Sequence, residues 1–288
     1  MGAIAGQLYS VFKLRIGFAI TLTALAGMAA AGSTDVPGWK AVVLGLAILL
    51  SSASAGAFNQ YAERELDSRM RRTRSRPFVT GAFRPGPWWL AGIAAILVLA
   101  VGLAALTLNA MVAIHVFLGA FVYGVVYTVW LKQRTWLNIV VGGLAGSFAV
   151  LAGASVVDPN LGPVPIILAV VLFLWTPPHF WSLATTLHRD YADAGVPMLP
   201  VVVGPAKAAW ATLAHTVALV LLSLTPVAFG LGWIYLVAAA SGGAYFIYRS
   251  VLLVRHPTAA MAMANFRASL LQLTALLVGV IVDAAVLS

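Results

Sequence analysis

Three oxygen-bearing side chains, Asn59, Glu63 and Asp67, recur at every fourth position where a long apolar run turns polar, so a helix carrying them presents all three on one face. Carboxylates stacked this way repel each other unless a cation lies between them. A cluster of guanidinium groups, Arg71, Arg72, Arg74 and Arg76, follows directly. Carboxylates joined by an amide oxygen are hard ligands suited to Mg²⁺, which commonly bridges one or two carboxylates to phosphate oxygens. Guanidinium forks can take up the charge that remains on the phosphate. Two readings stay open: a solvated helix end whose acids pair with Arg64 or Arg71, and a metal-assisted diphosphate site. The asparagine weighs toward the second, because an unpaired amide at the end of an apolar helix is costly. A second acidic stretch, HRDYADAGVPMLP, sets Asp190 and Asp193 on neighbouring turns beside His188 and Arg189.

The elements that must hold these residues are membrane helices. Of the 288 residues, 62% are hydrophobic and 9% charged, against roughly a quarter charged in soluble domains. A spanning helix needs about 20 mostly apolar residues. Nine such stretches occur, near 16–32, 41–60, 88–107, 111–130, 136–156, 163–183, 208–229, 233–250 and 266–286. Runs such as AVVLGLAILLSSASAG are apolar on every side, unlike the alternating segments of about ten residues that build a membrane β-barrel. The expected fold is therefore an all-α integral membrane protein of nine transmembrane helices, with residues 1–288 as a single domain. Lys13 and Arg15 precede the first stretch without a cleavage-site pattern, so no removable signal peptide is expected. The absence of cysteine excludes disulfide, thiolate and cysteine-metal chemistry.

Basic residues set the orientation. With nine spans, 16 of the 17 lysines and arginines fall on one side and Lys40 alone on the other, which places the amino terminus in the cytoplasm and the carboxyl terminus outside. The net charge of +9 then divides into +11 inside and −2 outside, with Asp35, Asp158 and Asp283 on the outer face. A basic inner surface is what topology demands, so no nucleic-acid partner is implied. The five inner acids occupy two loops only: Glu63, Glu65 and Asp67 in the first, Asp190 and Asp193 in the second. Two acidic sites at the mouth of a helical bundle suit a metal-bound diphosphate with a greasy tail.

The run N-x-x-x-[DE]-x-x-x-D followed by MRRTRSRP resembles the aspartate-rich signature of the intramembrane prenyltransferases. YTVWLKQRTWLNIVVGG (127–143) and TPPHFWSLATTLHRDYADAGVPMLPVVVG (176–204) are similar to stretches of the haem-farnesylating branch, the protohaem IX farnesyltransferases or haem O synthases. The likeness covers most of the chain. It implies a helical bundle around a central cavity open toward the cytoplasmic side. It also implies transfer of a farnesyl group from farnesyl diphosphate to the 2-vinyl group of haem B, giving haem O for terminal oxidases, with haem B as substrate rather than cofactor. Carried over by position, Asn59, Glu63 and Asp67 would hold one Mg²⁺, and Asp190 with Asp193 a second. Arg71, Arg74, Arg76 and Lys132 would contact the diphosphate, with Arg189 beside the second loop as a further substrate contact. The implied location is the bacterial cytoplasmic (inner) membrane, and the implied partners are the lipid bilayer and a terminal oxidase or haem A synthase. Glu63 stands where the family usually has Asp, and SFAVLAGAS follows Gly146 where many relatives carry a proline pair.

His179, within WTPPHFW, admits a helix-to-helix hydrogen bond or a haem contact, iron ligation included; the proline pair beside it is expected to break the helix. Tyr127 and Asn138 fall in the family-like stretch and are expected to be cavity or substrate contacts, whereas Trp130 suits an interfacial aromatic belt. Packing suffices for His115 and His215, and solvation for His256. A relative that prenylates a quinone precursor would share the first loop but not HFWSLA or AGVPMLP. A transporter would show paired helix breaks in two halves, and no internal repeat is visible.

Overall fold

Apolar chain in lipid satisfies its backbone groups only as helix or closed barrel, and among the described residues no strand occurs. The computed structural model describes residues 2–32 and 36–287; Asp35 lies outside them. The helices are α1 (Gly2–Val11), α2 (Leu14–Ala30), α3 (Gly38–Ala62), α4 (Arg64–Ser68), α5 (Pro77–Thr80) and α6 (Pro87–Thr107), then α7 (Ala110–Leu131), α8 (Asn138–Val157) and α9 (Pro163–Thr186). After them come α10 (His188–Asp193) and α11 (Leu199–Val203), and α12 (Pro205–Phe229), α13 (Trp233–Arg255) and α14 (Ala259–Leu287). Eight are long and apolar enough to cross a membrane: α3, α6, α7, α8, α9, α12, α13 and α14. The α1–α2 pair is bent by 46° and adds a ninth if it is one span.

Three local departures from regular helix position the site. Lys13, at the α1–α2 bend, takes a left-handed backbone conformation with φ 48° and ψ 41°. α3 gives way to α4 at Glu63 (φ −92°, ψ 9°), yet the amide ladder continues, with Glu63 N–H donating to Asn59 O at 3.0 Å and Asp67 N–H to Glu63 O at 2.7 Å. The every-fourth-residue stacking of Asn59, Glu63 and Asp67 survives the interruption. The last ten residues of α7, Val122–Leu131, wind as π-helix, and Lys132 N–H donates to Tyr127 O five residues back. Such widened turns recur at functional sites.

The expected break at the proline pair does not occur. α9 runs through Pro177 and Pro178 from Pro163 to Thr186. Pro177 has no N–H to offer the carbonyl one turn back, that of Phe173, and α8 packs close to that group: a Cβ built on Gly143 would lie 3.2 Å from Phe173 O.

Leu44, Ala47, Val112, Val116 and Ala152 form one core between α3, α7 and α8, and Leu168, Leu172, Tyr235, Leu276 and Val280 another between α9, α13 and α14. A third cluster gathers Leu66, Met70, Ile139, Trp181, Tyr191 and Met198, so the chain after α3 and the chain after α9 share one apolar cap. Asp283 is a helix cap: its carboxylate accepts from Gly232 N–H at 2.6 Å and Tyr235 N–H at 3.0 Å, which satisfies the start of α13.

Candidate functional site

Where α3 meets α4, a cavity of about 280 Å³ is lined by Asn59, Glu63 and Asp67, by Lys13, Arg72, Arg76 and Lys132, and by Tyr123, Tyr127 and Tyr191. The three oxygen-bearing residues are only 2%, 3% and 1% exposed, which removes the solvated-helix-end reading. Each faces a side-chain cation: Lys132 Nζ is 2.5 Å from Glu63 Oε2 and Arg76 Nη1 is 2.6 Å from Asp67 Oδ2. Lys13 Nζ donates to Asn59 Oδ1 at 2.5 Å and to Tyr123 OH at 2.9 Å. Asn59 Nδ2 donates to Thr128 Oγ1 at 2.9 Å, and Thr128 Oγ1 donates to Tyr123 O at 2.8 Å. The amide is thereby held with its oxygen toward the cations.

Even with Lys13 left out of the count, the cations Arg72, Arg76 and Lys132 outnumber the two carboxylates of this lining. It attracts a polyanion without help, so repulsion by acids is not what calls for a metal. That need comes from the oxygens: Glu63 Oε1 is buried without a hydrogen-bond partner, beside a second carboxylate and an oriented amide oxygen. This donor set fits Mg²⁺ held by two carboxylates, with substrate oxygens and water completing the shell. Among the described residues no group of three or more His, Cys, Asp or Glu side chains is placed to hold a metal.

The second loop enters differently from the sequence expectation. Asp190 is half-buried and Asp193 exposed, and neither lines the cavity; Tyr191 between them does. Burial pushes the Tyr191 phenol up from its ordinary value, opposed by the hydrogen-bonded Arg72 guanidinium, so the ring presents a neutral O–H. Arg71, Arg74 and Arg189 are exposed and stand outside the lining, whereas Arg72 and Arg76 belong to it. Tyr127 lines the cavity and stacks on Tyr123 with centroids 5.7 Å apart. Asn138 is 0% exposed and lies outside the lining; its Nδ2 donates to Lys132 O at 3.1 Å, so it holds the backbone that carries Lys132.

His179 lies between Trp175 and Phe266, with centroids 4.2 Å and 4.4 Å away, and its Nδ1 is 2.7 Å from Ser269 Oγ. Ser269 Oγ spends its one proton on Phe266 O at 2.7 Å. It must therefore accept from His179 Nδ1–H, which leaves Nε2 with a free lone pair. The helix-to-helix bond is thus made, and His179, 7% exposed, lines neither this cavity nor the neighbouring apolar one.

A second cavity of about 160 Å³ is mostly apolar and shares Lys13, Ile16, Tyr123 and Phe180 with the first. Lys13 escapes sequence reasoning because a lone lysine 46 residues from Asn59 counts only as one of many topology charges. Tyr191 carries no signal beyond lying between two aspartates.

A helical membrane bundle in which a cationic, carboxylate-bearing cavity shares wall residues with a mostly apolar one is the arrangement that a phosphorylated lipid requires. Residues 20–275 match the UbiA prenyltransferase family, and the chain belongs to that family. It is 59% identical over 277 residues to protoheme IX farnesyltransferase 2 of Paramagnetospirillum magneticum, covering 96% of both chains. It is 39% identical over 274 residues to protoheme IX farnesyltransferase of Alkalilimnicola ehrlichii, covering 94% of this chain and 90% of that one. Its fold superposes on a UbiA homologue from Archaeoglobus fulgidus bound to DMAPP and Mg²⁺ with a TM-score of 0.72 at 16% identity, over 96% of this chain and 99% of the other.

Proposed function

We propose that residues 1–288 form one membrane-embedded enzyme that transfers the farnesyl group of farnesyl diphosphate to the 2-vinyl group of haem B, making haem O. The acceptor and the prenyl length follow from relatives named for that reaction, the first at 59% identity over 96% of the chain. The observation that carries the diphosphate half is the buried set of Asn59, Glu63 and Asp67 facing Lys13, Arg72, Arg76 and Lys132 in one cavity.

As the C1–O bond breaks, charge grows on the departing diphosphate. Lys132, Arg72 and Arg76 take up that charge, preorganised electrostatics being often the largest catalytic contribution. Asn59, Glu63 and Asp67 would hold Mg²⁺, which would supply Lewis-acid charge to the same leaving group. The terminal vinyl carbon of haem bonds to C1, and the cation left on the porphyrin-side carbon takes up water, which loses a proton. The apolar second cavity keeps water from the allylic cation beforehand. A second Mg²⁺ at Asp190 and Asp193 would require α10 to turn these carboxylates inward. A metal stoichiometry unchanged in Asp190→Asn/Asp193→Asn would remove it.

The purified chain, given Mg²⁺, farnesyl diphosphate and haem B, is expected to yield a haem heavier by one farnesyl group and one hydroxyl, and chelation is expected to stop it. A parallel reaction with 4-hydroxybenzoate tests the competing acceptor: prenylated benzoate beside unmodified haem would sink the haem assignment, and farnesylation undiminished by chelator would sink the metal site. His179 Nε2 serves as the haem-side contact. His179→Ala is expected to raise KM for haem B about tenfold and leave KM for farnesyl diphosphate unchanged; equal rises in both would reduce it to a packing residue.

The α1–α2 pair acts as the first of nine spans, with the cavity opening to the cytoplasm and the chain in the bacterial inner membrane, where a terminal oxidase or haem A synthase would receive the product. The support is the segregation of 16 of 17 basic residues onto one side. Reporter fusions after Lys132 and Lys207 should be cytoplasmic and one near Asp158 external; an external signal after Lys207 would put the second loop on the wrong side.

A further inference from the structure

We infer that His115 and Ile48 form the floor that limits the prenyl chain to three isoprene units, an inference that rests on the farnesyl reading above. Lys13 and Tyr123 belong to both cavities, so the bond joining diphosphate to prenyl carbon lies at their level, and the tail runs into the apolar cavity. On α7 that cavity extends from Tyr123 to His115, and on α3 from Gly56 to Ile48. Both are runs of nine residues, eight steps or about 12 Å of helix rise. One turn further on each helix, Val112 and Leu44 are 0% exposed and belong to the packed core with Ala24 and Ala152. The cavity is blind on these two walls.

Chain length can be set against that depth. An extended backbone advances about 1.2 Å per bond, so the eleven-bond spine of a farnesyl group reaches roughly 13 Å, and the fifteen-bond spine of a geranylgeranyl group roughly 18 Å. Three units match that depth, and a fourth exceeds it by about half. The floor is held rather than yielding. His115 Nδ1 lies 3.2 Å from Ser155 Oγ, its ring stacks on Phe148 at 6.1 Å, and Ser155 O accepts from Asn109 Nδ2 at 2.7 Å. The imidazole has five heavy atoms, as many as one isoprene unit has carbons, so removing it opens the room that a fourth unit requires.

The test is a competition between farnesyl and geranylgeranyl diphosphates for haem B, read as the mass of the haem product. The wild-type chain should favour farnesyl by about a hundredfold in kcat/KM, the discrimination a rigid apolar pocket achieves. His115→Ala and, separately, Ile48→Ala should each shift that ratio at least tenfold toward geranylgeranyl. The second variant keeps the test open if the first fails to fold. A wild-type ratio in both folded variants would overturn the floor. Absence of farnesylated haem from the wild-type chain would instead overturn the farnesyl reading beneath it, so the two failures are distinguishable.

Discussion

Asp67→Ala is expected to lower haem farnesylation by about a thousandfold, the upper range for removing one preorganised charge from a catalytic site. The carboxylate is 1% exposed and has two tasks. It offers oxygen to the metal, and it holds Arg76 through the 2.6 Å ion pair. Truncation removes both and leaves a guanidinium in the cavity wall without its partner, which by itself destabilises a buried pair by about 3–5 kcal/mol. Asp67→Asn separates the two effects, because the amide keeps the shape and an oxygen while losing the charge. If charge is what matters, both variants lose turnover, and Asp67→Asn, whose amide oxygen can still accept from Arg76, melts closer to the wild type than Asp67→Ala. Glu63→Asp should retain most turnover, since the shorter acid is the usual family ligand. Near-normal turnover in Asp67→Ala would show that this helix end does no chemistry.

The features legible in the sequence are those written in local periodicity. The every-fourth-residue spacing of Asn59, Glu63 and Asp67 needs only a helix to become a shared face, and the amide ladder across Glu63 keeps that face although the helix is interrupted there. Long apolar runs become helices because lipid leaves the backbone no other partner. What the sequence hides is contact between distant elements. Lys13 reaches Asn59 only because the chain bends at a left-handed residue between α1 and α2. Asp190, Tyr191 and Asp193 are close neighbours in sequence, but a short helix sends successive side chains in different directions, and the aromatic ring rather than either acid lines the cavity. Arg71, Arg72, Arg74 and Arg76 divide similarly, with Arg72 and Arg76 in the cavity wall and Arg71 and Arg74 outside it. Composition marks the cluster; only the fold selects its members. Asn138 is a subtler case, since its signal is real but its contact is the Lys132 carbonyl.

The largest expected effect on stability comes from the α2–α8 crossing, far from any charge. A Cβ built on Gly153 would lie 1.8 Å from Ala24 O, and one on Gly27 would lie 2.2 Å from Val150 O; both obstacles are backbone, which cannot turn aside as a flexible side chain would. Close helix approach through small residues is the usual way for membrane helices to gain packing where no hydrophobic drive between them exists. Gly153→Ala must therefore separate two helices that also wall the apolar cavity through Ile16, Ile20, Ala145 and Ala149. The expected cost is about 3 kcal/mol or more, at or beyond the upper end for overpacking, seen as loss of monodisperse protein in detergent and a lower melting temperature. Gly102 supplies the comparison: a Cβ there meets nothing within 4 Å, and alanine is the better helix former by roughly 0.5–1 kcal/mol, so Gly102→Ala should melt at or above the wild-type temperature. If the two variants melt together, the helices do not cross at backbone contact. If Gly153→Ala alone fails, the glycine serves the shape of the cavity as much as the stability of the bundle, because the same backbone contact fixes how far α2 stands from α8.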